Sequence, residues 1–209
     1  LERRWPAEAV VDRAAVWVDV LYTLIHRLGL FKLAMFFTVD AAIDEVLGHA
    51  RVAGLGTWHL DQALGRLWPG VTDAPWLTFL AYLVVFDALA YAIHRGQHGF
   101  DRWWALHALH HSQRQMTMWS DNRNHLLDDV IVDIVVASVA AVIGVPPGQF
   151  VALVALTQLL ESFQHANLRL SFGWLGERLL VSPRFHRVHH AIGIGHESAG
   201  RGSLGGCNF

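Results

Sequence analysis

Residues 75–98, PWLTFLAYLVVFDALAYAIHRGQH, join two signals in one helix. Pro75–Ile93 is almost wholly apolar, with Asp87 its one charged residue. A run of about 20 such residues is long enough for the roughly 30 Å of hydrocarbon in a bilayer. It ends on His94 and His98, whose spacing stacks both imidazoles on one helix face, one turn apart. Back along that face lie Tyr91 and Asp87, so the stripe reads Asp, Tyr, His, His. Ionisable residues inside a span are costly and mark function by default. The stretch predicts a membrane helix with metal-ligand chemistry at its end.

A second apolar run, Leu126–Val145, is broken only by Asp128, Asp129 and Asp133. The tight-turn sequence Gly144-Val-Pro-Pro-Gly148 follows it, and Phe150–Phe163 returns as the other arm of a helical hairpin. Ala14–Ile25 and Leu28–Val39 are apolar but are interrupted by Asp19, His26, Arg27 and Lys32. They read as one further span plus an interfacial helix. Residues 51–74 read as a loop outside the membrane, with a short amphipathic helix around Leu60–Leu67. The expected fold is all-α: an integral-membrane helical bundle with hairpin spans and a histidine-rich helical cap. Residues 1–74 form its N-terminal membrane and interfacial part, and residues 75–209 its catalytic part.

Composition agrees with that class. The chain has 209 residues, 53% hydrophobic and only 16% charged, against roughly 25% charged in a soluble domain. A net charge of −2 gives nucleic acid no attraction, and the single cysteine, Cys207, excludes a disulfide framework or a thiolate zinc cluster. No secretory signal peptide follows Leu1-Glu2-Arg3-Arg4. Arg95, Arg102, Arg114 and Arg123 lie between the two clearest spans, and Arg169, Arg178, Arg184, Arg187 and Arg201 follow the last. The positive-inside rule then puts the histidine-rich segments on the cytoplasmic side. Lys32 is the only lysine among 16 basic residues. With the Ala, Val and Gly richness, this points to a GC-rich bacterium and its inner membrane.

Of 14 histidines, eleven fall between His94 and His196, and five between His94 and His111. Beyond the His94/His98 pair, two triplets repeat the spacing i, i+3, i+4: His107, His110, His111 and His186, His189, His190. His125 precedes the second span and His165 ends the return arm, on the same side of the bilayer. One histidine at a helix end is more often a cap or a surface residue than a ligand. A pair and two matching triplets at membrane boundaries favour metal. His26, His49 and His59 stand outside the pattern and read as ordinary surface or interfacial residues, and His196 is open to either reading.

A zinc protease would need Glu after the first histidine, where this chain has Arg95. Imidazole suits iron, zinc, copper and nickel alike, but eight box histidines plus His165, and His125 as a further candidate, suit two ions better than one. Two neighbouring redox metals at a membrane face point to O2 activation, with iron the metal whose chemistry reaches unactivated C–H bonds. Metal-bound histidines usually donate their second N–H to a carboxylate or carbonyl. Asp87, Asp128, Asp129 and Glu161 are spaced to accept it.

These residues resemble the fatty acid hydroxylase superfamily, with its sterol desaturases and sterol methyl oxidases. The matching text is Asp87-x3-Tyr91-x2-His94-Arg95-x2-His98, Trp104-x2-His107-x2-His110-His111-Ser112, Arg123-Asn124-His125, Gln164-His165-Ala166-Asn167 and Pro183-x2-His186-Arg187-x-His189-His190. It runs from about Leu77 to the C-terminus. The short gap between the first two boxes sets it apart from acyl-CoA desaturases. Where some members place a histidine four residues before His165, this chain has Glu161. Either Glu161 is a ligand or the site has one imidazole fewer. The family's ending is present only as Asn208-Phe209, as if the chain were cut there, and no His-Pro-Gly-Gly haem motif is present.

The resemblance implies O2-dependent hydroxylation or desaturation of a lipid-like substrate by two Fe ions, which zinc can replace. Electrons would come from a separate donor of the cytochrome b5 or ferredoxin type, with its reductase. The histidines would be ligands rather than acid–base groups, with Tyr91 a candidate proton donor. The rivals are a metal transporter or other metal-binding membrane protein and a non-catalytic homologue. Transporters place ligands near mid-membrane, whereas these boxes sit outside the apolar runs. Trp103, Trp104, Trp119 and Trp174 read as interfacial anchors in preference to a lipid entrance. Substrate identity is not legible.

Overall fold

A computed structural model describes residues 1–27, 30–56 and 58–191. His196, Cys207 and Asn208-Phe209 lie outside the described residues. Within them the fold is helical, and extended pairing is confined to an isolated bridge between Pro6 and Leu168. In chain order the helices are α1 (Arg13–His26), α2 (Leu30–Met35), α3 (Ala41–Val52), α4 (Leu60–Leu67), α5 (Pro75–Gly99), α6 (Asp101–His107), α7 (Leu126–Val142), α8 (Pro147–Gln164), α9 (Gly173–Gly176) and α10 (Pro183–His189). A π turn, Phe36–Asp40, joins α2 to α3.

Two helical stretches are long and apolar enough to cross a membrane, Arg13–Val52 and Pro75–Gly99. The second is α5, longer than the apolar run in its sequence because the first histidine box continues the same helix. The expected second span is not among these stretches: its helix ends sooner, as α7, with 17 residues and all three aspartates. Each aspartate is matched. Asp128 accepts from Gln97 and Trp103, Asp129 pairs with His26, and Asp133 takes Lys32 at 2.7 Å. An apolar helix can carry these carboxylates because its neighbours supply a donor for each.

Helices α5, α7 and α8 pack around Tyr82, Phe86, Ala140 and Leu153, with Phe79, Leu83, Val136, Ile143 and Phe150 at the margin of this cluster. Pro147 at the first turn of α8 uses a position whose N–H needs no helical partner. The α7–α8 turn depends on Gly144, which has φ +69°, and a Cβ there would collide with the His59 ring. His59 is thus packed beneath the turn and is not a loose surface residue, and Leu60 N–H donates to the Ile143 carbonyl at 3.0 Å.

The N-terminal helices are tied to the rest by polar contacts. Asp19 accepts from Ser120 at 3.0 Å and from Arg123 at 2.6 Å, and Arg27 donates to Asp121 at 2.8 Å and to Ser162 at 2.6 Å. His26 is buried against Asp129. That corrects its reading as an ordinary surface or interfacial residue; the pairing needs a chain reversal that no local spacing reveals. Among the described residues, buried polar and charged side chains outnumber buried apolar ones, while Trp17, Leu21, Trp76, Val84, Val151 and Leu159 are exposed.

Candidate metal centre

The first box is the C-terminal turn of α5. Its Gly96 leaves room for Trp103 of α6: a Cβ there would lie 2.7 Å from the indole. That close approach lets α6 fold back, so His107 at its end faces His94 and His98, with ring centroids 5.0 Å from each. The chain then tightens into a 3-10 turn, His110–Ser112. The second box is therefore not one continuous helical face. The third box rides on α10, where Pro183 occupies the first turn and Ser182 caps it by accepting from Phe185 N–H at 3.2 Å. Glu177 in turn accepts from Ser182 Oγ at 2.6 Å, which fixes where α10 begins.

Nine histidines meet in two adjoining nests. His110, His165, His186 and His190 form one. His94, His98 and His107, with His98, His111 and His189, form two sets that share His98 and merge into a second. In each set the potential ligand atoms lie within 4.8 Å of one another. His111 and His190 stack at 4.1 Å across the boundary between the nests.

The first nest brings Nε2 atoms together. His165 lies 3.1 Å from His110 and 3.0 Å from His186, and His186 lies 3.1 Å from His190. In the second, His94 and His189 are 2.9 Å apart. A metal bound by imidazole at 2.0–2.1 Å has ligand-to-ligand edges of about 2.9–3.4 Å, so the spacings match a coordination shell. A neutral imidazole has one N–H, and a ring of facing nitrogens cannot satisfy itself. His107 Nε2 and His111 Nε2 are buried with no hydrogen-bond partner among the described residues. Burial, and then the crowding of neighbouring imidazoles, push His110, His111, His186 and His190 well below the ordinary histidine value. They stay neutral, the form that ligates metal. On this structure's donor set, two imidazole-bound ions fit.

Two outer nitrogens have partners, those of His165 and His190, while Nδ1 of His107, His110 and His186 is buried with no hydrogen-bond partner among the described residues. His165 Nδ1–H donates to the Glu161 carbonyl at 2.8 Å, leaving Nε2 for the nest. His107 Nδ1 lies 3.5 Å from the Asp128 carboxylate, a charge contact without a hydrogen bond, and that carboxylate accepts from Gln97 at 3.0 Å and Trp103 at 2.7 Å. The Gln113 amide nitrogen lies 3.1 Å from His190 Nδ1, and its Oε1 is buried with no partner among the described residues. Turned toward the ring, that oxygen accepts the Nδ1 proton and frees Nε2.

The fatty acid hydroxylase family profile matches residues 79–200, more than half of the chain. The chain belongs to the fatty acid hydroxylase family. Among curated relatives it is 27% identical to alkylglycerol monooxygenase of Caenorhabditis elegans, covering 56% of this chain and 23% of that one. It is 28% identical to ornithine lipid hydroxylase of Rhizobium tropici, covering 52% and 33%. With alkylglycerol monooxygenase of Danio rerio the identity is 31%, over 56% and 26%. The chain thus spans about a quarter to a third of the length of these relatives. No solved structure matches it.

Within this member of the family, not every residue singled out from the sequence reaches the nests. His125 is exposed and caps α7, accepting from Leu127 N–H at 3.2 Å. Asp129 goes to His26 instead of a box histidine. Glu161 contributes its backbone carbonyl, and its side chain belongs to neither nest. Asp87 and Tyr91 are exposed on α5. Gln97, Gln113 and Trp103 were missed as supporting groups. Trp103, read as an interfacial anchor, instead donates to buried Asp128. Its place in the sequence offers one clue, seven residues after the glycine that admits it. Trp174 is exposed with Arg178 stacked 4.2 Å from its ring centroid, a surface arrangement that suits an anchor.

Proposed function

We propose that the nine clustered histidines hold two iron ions and that the chain hydroxylates a C–H bond of a membrane lipid. The observation that carries this reading is the pair of adjoining imidazole nests with nitrogens 2.9–3.1 Å apart. The exposed apolar and buried polar side chains suit a protein whose solvent is lipid. The arginine distribution favours the cytoplasmic face of a bacterial inner membrane for the nests. Family membership and the names of the relatives favour hydroxylation over desaturation, and an alkyl-chain lipid as substrate class.

When bound, the metal pair supplies O2 activation. The reaction balances as substrate C–H plus O2, two electrons and two protons giving C–OH and water. The electrons come from a separate donor of the cytochrome b5 or ferredoxin type. The protein's own groups orient the site. The Glu161 carbonyl and Gln113 fix the ring tautomers of His165 and His190, and the Asp128 carboxylate sets the electrostatics beside His107. The Gln97 and Trp103 hydrogen bonds hold the Asp128 carboxylate in place. Burial of His98, His107, His110, His165, His186, His189 and His190 limits the access of bulk water to these rings.

The test is turnover of the full-length protein in proteoliposomes. The iron-loaded protein is supplied with a chemical or protein reductant and alkylglycerol or ornithine lipids under 18O2. One 18O atom incorporated per oxidised lipid, only with reductant, is the expected result. Ferrous-ion flux across the vesicle without any oxygenated lipid would replace the hydroxylase reading with transport.

A further inference from the structure

Outside the histidine nests, three arginines converge on one concavity. Arg169, Arg184 and Arg187 line a cavity of about 300 Å³ together with Ala7 and Leu168. Arg187 donates to Glu8 at 2.7 Å and to Asn167 at 3.0 Å, while its Nε is buried with no partner among the described residues. Among the described residues Arg169 donates only to the Ala7 carbonyl, at 3.3 Å. Arg184 bonds through its backbone to Leu170, and its guanidinium has no partner among the described residues. Of the three arginines, only Arg187 has a carboxylate partner among the described residues, Glu8.

Placement adds direction. Arg184 and Arg187 are one turn apart on α10, the helix whose buried residues His186 and His189 enter the nests. The cavity therefore lies on the outer side of α10, at the membrane boundary if the proposed orientation holds. Arginine forks match the oxygens of phosphate and carboxylate. Basic pockets at the cytoplasmic face bind lipid headgroups. Free solvation is the usual fate of a surface arginine, but it does not account for a buried unpartnered Nε in a three-arginine pocket.

We propose that this cavity docks the anionic headgroup of a membrane lipid, with the phosphate or carboxylate held by Arg169 and Arg184 above Arg187. The proposal rests on the membrane placement and not on the oxidation chemistry, so a failed turnover assay leaves it standing. Its test is native mass spectrometry of the full-length protein in detergent, titrated with phosphatidylglycerol or with phosphatidylcholine of the same acyl chains. The Arg169→Gln/Arg184→Gln variant alters two exposed side chains. The Arg102→Gln/Arg178→Gln variant removes the same charge elsewhere. The first is expected to weaken phosphatidylglycerol binding at least about tenfold and leave phosphatidylcholine unchanged. The second is expected to stay within about twofold of the parent. Equal phosphatidylglycerol binding by the first variant and the parent would overturn the site. An equal loss in the second variant would reduce it to general surface charge. Displacement by inorganic phosphate at lipid-equivalent concentrations would replace the lipid with a free anion.

Discussion

Asp128 shows how one carboxylate serves two tasks. It is buried on α7, accepts from Gln97 and Trp103, and lies 3.5 Å from His107 Nδ1. Asp128→Asn keeps the shape but loses the charge beside the ring. Its metal affinity should fall about 10–100-fold, measured by chelator competition. His125→Ala should leave metal content unchanged, because His125 caps α7 away from both nests. It should cost about 1 kcal/mol in thermal stability. Acid acts through the buried imidazoles. Burial holds His110, His111, His186 and His190 below their ordinary value. The unfolded chain therefore binds protons near pH 6.5 where the folded chain does not. Their contribution is fully present above about pH 6.5 and is lost as pH falls toward the depressed folded values. A melting series of the metal-free protein from pH 8 to pH 5 should decline on the acid side, and metal should leave over the same range.

Among the elements, the N-terminal helices are held by ion pairs. Asp121 accepts from Arg27, Ser162 and Asn122 in a buried position. Asp121→Ala leaves the Arg27 guanidinium without its charge partner and should cost about 3–5 kcal/mol, read as a lowered melting temperature. These contacts also mark where sequence reading stops. The helix ending on His94 and His98 was legible because apolar run and imidazole spacing share one period. The Leu60–Leu67 helix and the Gly144 turn were legible from local pattern. The His26–Asp129 pair, the place of Gln113 and the diversion of His125 into a cap were not, because each depends on which distant segments meet. Asp128 and Asp129 are neighbours in sequence with the same chemistry. Only the fold shows that one faces the nests and the other an N-terminal histidine.

At the scale of the molecule, more polar than apolar side chains are buried among the described residues and many large apolar ones are exposed, which suits the proposed membrane setting. The proposed orientation predicts opposite labelling of two single cysteines in a Cys207→Ser background. A cysteine at Arg102 should react only from the cytoplasmic side. One at Gly148, where an added Cβ meets nothing within 4 Å, should react only from the other. Labelling of both positions from one side would contradict that topology. The two nests themselves are tested most directly by metal stoichiometry. The full-length protein, reconstituted with ferrous iron under anaerobic conditions and freed of loosely bound ions, is measured by inducively coupled plasma mass spectrometry against protein concentration. The nine-histidine arrangement predicts two iron ions per chain; a value of one or fewer would contradict it.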